Sequence, residues 1–422
     1  MPRHILIIGG GIIGLSTAYY ARRKGHTVTV VERNGRARDM ASLGNAGMIV
    51  PSHLTQLATP ANVRFGLRNL WNPESPFYIR PRLDPALISW GLKFIGSATA
   101  EKIERSAPVF RDLSMLSRKL YVELAEERDN DFGLQQRGLF ELCNTAEGLH
   151  EEAHFAAYAN KLGVPAEVLT PEEVRKLDPG VTLDITGAVY FPKDCHLSPD
   201  RLIVGMAQRL EADGVRFAYD ARVTGWRRAD GRVDGVIVSD ATGERTLQAD
   251  EYVVAGGVWS DQMARELGFS LPMQGGKGYS LTLPQPRETP QICALLTEAR
   301  AAVTPMLGGL RVGGTMEIAG LDESIDPRRV RGILKSFCRY YTAFTPDDFA
   351  GVPVWRGLRP VAPDGLPYVG RVRKYANLSV AAGHAMLGLS LGPVTGLLMS
   401  EILSGEAPSV DVTALAPERF GE

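Results

Sequence analysis

The pattern of apolar and polar residues is clearest at the start of the chain. An apolar run at residues 5–8 fits a buried strand, and apolar residues recur at helical spacing over 15–24. After a break at Gly25, a second apolar run covers 27–31 and ends at Glu32. This pattern predicts a strand, a turn, a helix and a second strand with an acidic residue at its end.

Similar patterns predict further elements along the chain, and residues 34–60 indicate a loop-rich connection. Helices are expected at 84–128, after the Thr170 cap, at 198–212, at 326–344 and at 393–403. Strands are expected at 137–143, 188–191, 215–219, 221–227, 233–238, 245–247, 251–255, 278–283, 292–296, 309–313 and 378–382. The fold that opens at residue 1 is therefore interrupted and completed only near the C-terminus.

The turn between the first strand and the first helix has the spacing G-x-G-x-x-G. Gly9 permits a tight turn, Gly11 allows a pyrophosphate to approach the backbone, and Gly14 allows the helix to pack on the strand. Phosphates are stabilised at the N-terminus of a helix. Glu32 can accept a hydrogen bond from a ribose hydroxyl, and as an acid it disfavours a 2′-phosphate. The unit as a whole predicts a bound adenine dinucleotide.

Composition narrows the classes of function that remain. With 422 residues, 44% of them hydrophobic, the chain is long enough for two or three units with real cores. A net charge of −1 gives no basic surplus for nucleic acid, so no nucleic-acid partner is expected. The four cysteines are far apart and show no metal-ligand spacing, so we expect free thiols, no metal site and a reducing, cytoplasmic location. No apolar run reaches the roughly 20 residues that a membrane span needs.

Several separated segments give the chain a resemblance to a known family. In order and in spacing they are similar to those of FAD-dependent D-amino-acid dehydrogenases, which belong with the glycine, sarcosine and D-amino-acid oxidases and include D-hydroxyproline dehydrogenase-like members. The resemblance extends over nearly the whole chain. The segments are 9–14 with Glu32, 42–47, 255–260, 277–280, 357–360 with 363–365, and 383–392.

The resemblance implies an α/β fold with two domains. A discontinuous, doubly wound Rossmann-type domain that binds FAD is expected from 1–55, 197–267 and 354–422. An α+β substrate-binding domain, built on a mixed and mostly antiparallel sheet, is expected from 56–196 and 268–353.

The resemblance also implies which residues contact a non-covalently bound FAD. The turn and its acid, the loop after residue 41, a strand valine, the strand end at 256–259 and the segment before the last helix would each contribute. The expected contacts are Gly9, Gly11, Ile12, Ile13, Gly14, Glu32, Arg33, Ser42, Asn45, Ala46, Gly47, Met48, Val223, Gly256, Gly257, Trp259, Gly383, His384, Met386, Leu387, Gly388, Leu389 and Ser390.

Arg359 is the principal candidate for binding the substrate. A guanidinium matches a planar carboxylate with two charge-assisted hydrogen bonds, and related enzymes use an arginine at the corresponding motif. Tyr279 and Arg311 are weaker candidates for a second group on the carboxylate, and His53 could face the flavin ring. Each of these three could equally have a structural role.

The expected reaction is oxidation of a D-amino acid, general or cyclic such as D-proline or cis-4-hydroxy-D-proline. The substrate's Cα would donate a hydride to flavin N5 to give an imine, and a quinone or another carrier would then take the electrons. An oxidase of the glycine or sarcosine type, a flavin-binding subunit of a heteromeric amine dehydrogenase and an NAD-dependent enzyme stay open as alternatives. Residues 76–82 and the helix around 90–94 could touch the inner face of a membrane, although packing of this helix on its own domain is the safer interpretation. The oligomeric state stays open.

Overall fold

The computed structural model describes residues 1–36, 40–68 and 75–421, so residues 37–39 of the predicted loop-rich connection lie outside the described part. The helices are α1 Ile12–Arg23, α2 Pro60–Arg68, α3 Pro85–Ser97, α4 Ala100–Glu127, α5 Ala146–Lys161, α6 Pro171–Leu177, α7 Pro199–Ala212, α8 Ser260–Glu266, α9 Pro327–Tyr340 and α10 Gly392–Ser404. The strands are β1 His4–Ile8, β2 Thr27–Val31, β3 Met48–Ile49, β4 Phe77–Ile79, β5 Leu139–Cys143, β6 Glu167–Leu169, β7 Gly187–Phe191, β8 Cys195–His196, β9 Arg216–Ala218, β10 Arg222–Ala229, β11 Arg232–Asp240, β12 Gly243–Leu247, β13 Glu251–Val254, β14 Gln274–Leu283, β15 Cys293–Leu296, β16 Ala301–Met306, β17 Gly309–Ile318, β18 Val354–Val361, β19 Tyr368–Arg371 and β20 Leu378–Ala382.

The first sheet has six strands in the order β19-β20-β13-β1-β2-β9. All neighbours pair in parallel except β19, which is antiparallel to β20. One face is covered by α1, α7 and α10, and the other by α8 and a three-stranded antiparallel sheet of β10, β11 and β12. The strands come from widely separated stretches of the chain, which confirms the predicted discontinuous Rossmann-type fold.

Burial on both faces explains the apolar strands of this sheet. The strand from Ile5 to Ile8 is at most 3% exposed, because a parallel strand between two layers has no solvated side. The close contact of α1 with α10 depends on Gly396, since a Cβ there would lie 2.4 Å from the Ser16 carbonyl oxygen. These contacts fix the N-terminal ends of both helices at the same edge of the sheet.

The second sheet has nine strands in the order β18-β14-β17-β16-β15-β5-β7-β6, with β4 also paired to β17. Its pairs are antiparallel except β15 with β5 and β17 with β4, which confirms the predicted mixed, mostly antiparallel sheet. Helix α9 packs an apolar side against one face. The opposite face is turned toward the first sheet.

Two predictions of element bounds differ from the structure. The expected helix at 84–128 is two helices, because Thr99 begins a new one by accepting a hydrogen bond from the Lys102 amide. Strands β14 and β17 are also longer than expected, and in β14 the added half is rich in glycine and lacks the side chains that mark a strand in sequence. The elements α2, α5, α8, β3, β4, β6, β8, β16 and β19 were not predicted.

The division of the chain into two domains at the stated boundaries stays a prediction. Strand β18 bears on it, because residues 354–361 belong to the nine-stranded sheet although the predicted boundary groups them with the FAD-binding segments. In sequence, β18 is the last strand of the nine-stranded sheet, and the next strand, β19, belongs to the six-stranded sheet.

Candidate functional site

A cavity of about 840 Å³ lies between the two sheets. Its walls include the carboxyl ends of β1, β2, β13 and β20, and the inner face of the nine-stranded sheet. The carboxyl ends of parallel strands are where ligands bind in open α/β sheets. Its volume lies within the range of about 300–1,000 Å³ that is typical of small-molecule and cofactor sites.

The three motif glycines have different roles in the structure. Gly9 has φ +114°, and a Cβ there would lie 2.4 Å from the Ala255 carbonyl oxygen. A Cβ at Gly14 would lie 1.9 Å from the Gly9 oxygen, so both positions serve backbone packing. A Cβ at Gly11 would meet only Ser42 Oγ, at 3.5 Å, and Gly11 lines the cavity. Gly11 therefore leaves open the space that a pyrophosphate needs.

The acid at the end of β2 is used by the protein's own backbone. The buried Glu32 carboxylate accepts hydrogen bonds from the amides of Gly10, at 2.7 Å, and Asn34, at 2.9 Å. A carboxylate offers about four acceptor positions, so acceptor capacity is left for a ribose hydroxyl. Beside it, the Arg33 guanidinium lies 3.5 Å from the centre of the Trp259 ring, and both residues line the cavity.

The loop at 42–48 extends along the cavity next to the first turn of α1. Ser42 Oγ accepts a hydrogen bond from the Ile12 amide at 3.2 Å, and Asn45 Oδ1 accepts one from the Gly47 amide at 2.9 Å. Gly47 has φ +78°, which favours glycine. The loop is thus shaped by its own short polar side chains.

Arg311 lies in a different place from the one expected of a substrate ligand. Its guanidinium donates to the carbonyl oxygens of Leu43, at 2.9 Å, and Asn45, at 2.7 Å, and to Thr282 Oγ1, and it does not line the cavity. The hydroxyl of Ser280 donates to the Gly44 carbonyl at 3.0 Å. Both residues belong to the nine-stranded sheet and position the 42–48 loop.

The segment before α10 closes the cavity on its other side. His384 Nε2 lies 3.0 Å from Thr395 Oγ1, and burial lowers the pKa of this histidine to about 3, so the ring is neutral. Ser390 Oγ accepts a hydrogen bond from the Val50 amide at 3.0 Å. A neutral histidine and a helix N-terminus leave this wall without a negative charge, which suits the reduced form of a flavin.

Most of the residues expected to contact the cofactor line this one cavity. Gly14, Gly47 and Gly383 lie behind its wall, where a Cβ would meet Gly9, Leu197 and Tyr368 respectively. The residues that line it are Gly9, Gly11, Ile12, Ile13, Glu32, Arg33, Ser42, Asn45, Ala46, Met48, Val223, Gly256, Gly257, Trp259, His384, Met386, Leu387, Gly388, Leu389 and Ser390.

Trp355, which was not predicted, gives the cavity an unused hydrogen-bond donor. Its indole lies against Gly44, where a Cβ would be 1.9 Å from the ring. Within the described part of the chain, its buried Nε1 has no hydrogen-bond partner. Together with the open space at Gly11, this donor fits a polar ligand such as a dinucleotide between the sheets.

Arg359 lies in the cavity wall with most of its donors unused. Nη1 donates to the Thr315 carbonyl at 2.8 Å, and no described carboxylate lies within ion-pair distance. Burial lowers the pKa of Arg359 to about 10, so the side chain stays charged near neutral pH. Gly278 lies directly beneath, since a Cβ there would be 2.1 Å from Nη1. The geometry thus holds a free cation at the cavity surface.

A β-bulge positions this arginine. The pairing of β14 with β17 shifts between Lys277 and Tyr279, and Thr315 at the shift has φ +62°, a rare value for a β-branched residue. Its carbonyl oxygen accepts from Arg359, and its hydroxyl accepts from Arg329 at 2.5 Å. Strain of this kind occurs where a site is shaped for function.

Tyr279 contributes to the cavity wall, but its hydroxyl lies in a charged network next to α9. It donates to Glu317 at 3.3 Å and accepts from the Asp326 amide at 3.3 Å. In the same network, Lys277 Nζ lies 2.7 Å from Asp322. The phenol hydroxyl therefore bonds to residues between the sheet and α9, which differs from the expected role in binding a carboxylate.

His53 lines the cavity as expected. Burial lowers its pKa, so the ring is neutral at physiological pH. The preceding residue, Ser52, donates through Oγ to Asp194 at 2.5 Å and through its amide at 3.1 Å. Burial raises the pKa of Asp194 to about 7.

Several cavity residues gave no clear signal in the sequence. Thr315 follows a glycine pair, and such a pair within a strand can mark a bulge or close backbone approach. Gln56, Glu141 and Arg300 carry no motif, and only the pairing of distant strands and loops brings them to the cavity.

The described residues contain neither a cluster of metal-ligating side chains nor a membrane-spanning helix. No group of three or more His, Cys, Asp or Glu side chains within these ranges could hold a metal ion. None of the described helices combines the length and apolar character that crossing a bilayer requires. All four cysteines are free thiols.

Comparisons with known proteins agree with this geometry. The family model described as FAD dependent oxidoreductase matches residues 4–402. The chain is 32% identical to the D-amino acid dehydrogenase of Bradyrhizobium diazoefficiens, over 99% of this chain and 98% of that protein. It is also 32% identical to the D-amino acid dehydrogenase of Methylobacterium radiotolerans, over 99% of both chains.

Solved structures share the fold. Glycine oxidase from Geobacillus kaustophilus superposes with a TM-score of 0.76 over 99% of both chains, at 22% identity. L-proline dehydrogenase from P. horikoshii has a TM-score of 0.70 at 20% identity, over 100% of this chain and 98% of that one. The family match confirms the expected enzyme class and the expected cofactor. The chain belongs to the FAD-dependent oxidoreductase family, with FAD as its cofactor.

Proposed function

We propose that the chain is a dehydrogenase of D-α-amino acids that transfers electrons to a quinone or another carrier. The observation that carries this proposal is the charged Arg359, which lies at the cavity surface and, among the described residues, has a backbone carbonyl as its one hydrogen-bond partner. The naming of the curated relatives as D-amino acid dehydrogenases supports the choice of D-amino acids.

Arg359 binds the substrate carboxylate through two parallel hydrogen bonds in this proposal. The Thr315 carbonyl and the bare backbone of Gly278 fix the guanidinium, so little side-chain freedom is lost when the substrate binds. Fixing the carboxylate in turn fixes the direction of the substrate's Cα–H bond, which is the main contribution of the protein to the rate.

FAD, when bound, supplies the acceptor for the hydride that leaves Cα. The protein's part is to hold the substrate at the ring and to exclude water from it. His53 and His384 are both neutral, so neither repels an amino group nor competes with Arg359 for the carboxylate. The imine product is hydrolysed to a keto acid, or stays a cyclic imine when the substrate is cyclic.

A quinone acceptor would place the protein at the inner face of a membrane, and α3 supplies the proposed contact. Trp90 and Phe94 stack on each other in the interior, with ring centres 4.9 Å apart. The other side of the helix exposes Ile88, Leu92 and Ile95. Such a row of apolar side chains favours shallow insertion at a lipid surface.

The test of the proposed function is a substrate panel. The purified holoenzyme is assayed with D- and L-amino acids, D-proline, cis-4-hydroxy-D-proline, glycine and sarcosine, using an artificial electron acceptor, with a peroxide assay in parallel. We expect D-amino acids to reduce the acceptor and little peroxide to form. Peroxide from glycine or sarcosine would instead indicate an oxidase, and an FAD-loaded but inactive chain would indicate a subunit of a larger enzyme.

A further inference from the structure

We propose that Arg300 binds a second carboxylate, on the substrate's side chain, so that the site prefers acidic D-amino acids such as D-glutamate. This inference rests on the proposed function and adds a specificity-determining residue to it. Neither a sequence motif nor the family resemblance indicated this position.

Arg300 is a second cation at the wall of the same cavity, and part of its side chain is exposed to solvent. It lines the cavity together with Arg359, and no carboxylate of the described residues lies within ion-pair distance of it. Its guanidinium lies 4.2 Å from the centre of the Phe65 ring, which holds it at the side of the cavity bounded by α2. Arg359 and Arg300 thus both present a guanidinium to the cavity without a carboxylate partner in the described part of the chain.

The strand pairing shows how far apart the backbone positions beneath these two cations lie. The guanidinium of Arg359 lies over Gly278 in β14, and Arg300 immediately precedes β16. Strand β17 lies between them, since Gly314 pairs with Tyr279 on one side and with Ala301 on the other. Two strand spacings of about 4.8 Å put the two positions roughly 10 Å apart. A ligand with carboxylates at both ends is suited to such a pair of arginines.

The backbone conformation of Arg300 is a second reason to propose that its side chain binds an anionic ligand. Arg300 closes the turn from Thr297 between β15 and β16 and has φ +49°, a conformation that glycine would adopt without strain. An arginine at this position carries a cost that its side chain has to offset. Contact with an anionic ligand would supply that compensation.

Acidic residues elsewhere in the cavity suggest the alternative outcome, in which the site prefers substrates with a basic side chain. Glu141 and Glu152 also line the cavity, and Glu141 lies in β5, two strands beyond β16. If these acids selected the substrate, a basic side chain would be preferred. The experiment therefore includes both kinds of charge.

The kinetic test compares substrates of the same shape that differ in charge. For the wild type we expect kcat/KM to be about 10-fold or more higher for D-glutamate than for D-glutamine, since a charge-assisted hydrogen bond is lost with the amide. Arg300→Gly suits the φ of this position and should fold normally, and Arg300→Gln keeps a side chain. Both should bring the ratio close to one, mainly by lowering kcat/KM for D-glutamate.

The matched control is Arg331→Gln, which removes an exposed arginine on α9 and should leave the ratio at its wild-type value. Equal loss of activity on both substrates in the Arg300 variants would indicate a structural role and overturn the proposal. A preference of the wild type for D-arginine over its neutral analogue D-citrulline would overturn it as well, in favour of the acidic pair.

A binding test separates this inference from the proposed function. Glutarate and its half-amide glutaramate are titrated into the oxidised holoenzyme, and the change in flavin absorbance is recorded. We expect the wild type to bind glutarate about 10-fold or more tightly than glutaramate. In Arg300→Gly we expect the two compounds to bind with similar affinity. Equal affinities in the wild type would overturn the inference. If glutarate is selected but no D-amino acid is oxidised, the proposed function fails and the assignment of Arg300 stands.

Discussion

The two ends of the cavity are built in opposite ways. The dinucleotide end comes from one continuous stretch, 9–33, in which a strand, a turn, a helix and a second strand follow each other directly. The end that we propose binds the substrate joins Gly278, Thr315 and Arg359, which are far apart in the chain and meet through the pairing of β14 with β17 and β18. The first end depends on local geometry, whereas the second depends on the register of a sheet.

The largest expected effect contrasts two glycines of the dinucleotide end. Gly14→Val places a Cβ 1.9 Å from a backbone oxygen, so it should lower the free energy of unfolding by about 1–3 kcal/mol or more. Gly11→Val meets no such contact and should leave the melting temperature of the apoprotein unchanged. It should, however, abolish FAD binding, so that the protein is colourless once free FAD is removed. Thermal unfolding of both apoproteins and flavin absorbance measure the two effects. If Gly11→Val still binds FAD, the pyrophosphate does not bind at this turn.

The next effect concerns the substrate end. Arg359→Ala should reduce kcat/KM about 10- to 100-fold, since charged hydrogen bonds of roughly 1.5–3 kcal/mol are lost, while FAD stays bound. Gly278→Ala should give a smaller loss in the same direction, because its methyl group displaces the guanidinium without removing it.

Steady-state kinetics and flavin content check both variants. Gly91→Ala is the matched control, because a Cβ there meets nothing within 4 Å on an outer helix. Wild-type kinetics in Arg359→Ala would show that another group binds the carboxylate.

The last prediction is a pH dependence of stability from Asp194, which is hydrogen-bonded to Ser52 next to His53 in the chain. Burial raises the folded-state pKa of Asp194 to about 7 from its usual value of 3.8, so the folded protein binds the proton more tightly than the unfolded chain. This group's contribution to stability is therefore greatest below pH 3.8 and is lost as the pH rises toward 7. Asp194→Asn should flatten that part of the curve, as measured by denaturant unfolding between pH 4 and 8. An unchanged slope would show that Asp194 does not titrate in this range.

The same contrast explains how much could be predicted from sequence. The first sheet was predictable because its strands are apolar runs and its turn requires glycine at fixed positions. The position of Arg359 on a strand was predictable because its motif indicates a strand around it, while its role in binding a carboxylate stays a prediction. Both depend on residues that are close together in the chain.

The roles of Tyr279, Arg311 and Thr315 could not be predicted in this way. A bulge changes which side chains of a strand face the cavity, and the bulge at Thr315 appears only when β14 and β17 are paired. Arg311 could not be assigned either, since its partners are carbonyl oxygens of a loop almost 270 residues away in the chain. Side-chain direction in this sheet is a property of the assembled fold.

The hydrogen bonds from Arg311 and Ser280 to the 42–48 loop have a thermodynamic consequence. They connect the segment next to the flavin site directly to the sheet that carries Arg359. A ligand that rigidifies either partner lowers the entropic cost for the other. By linkage, the factor by which bound FAD tightens the binding of a carboxylate ligand equals the factor by which that ligand tightens the binding of FAD, so apo and holo forms differ in more than colour.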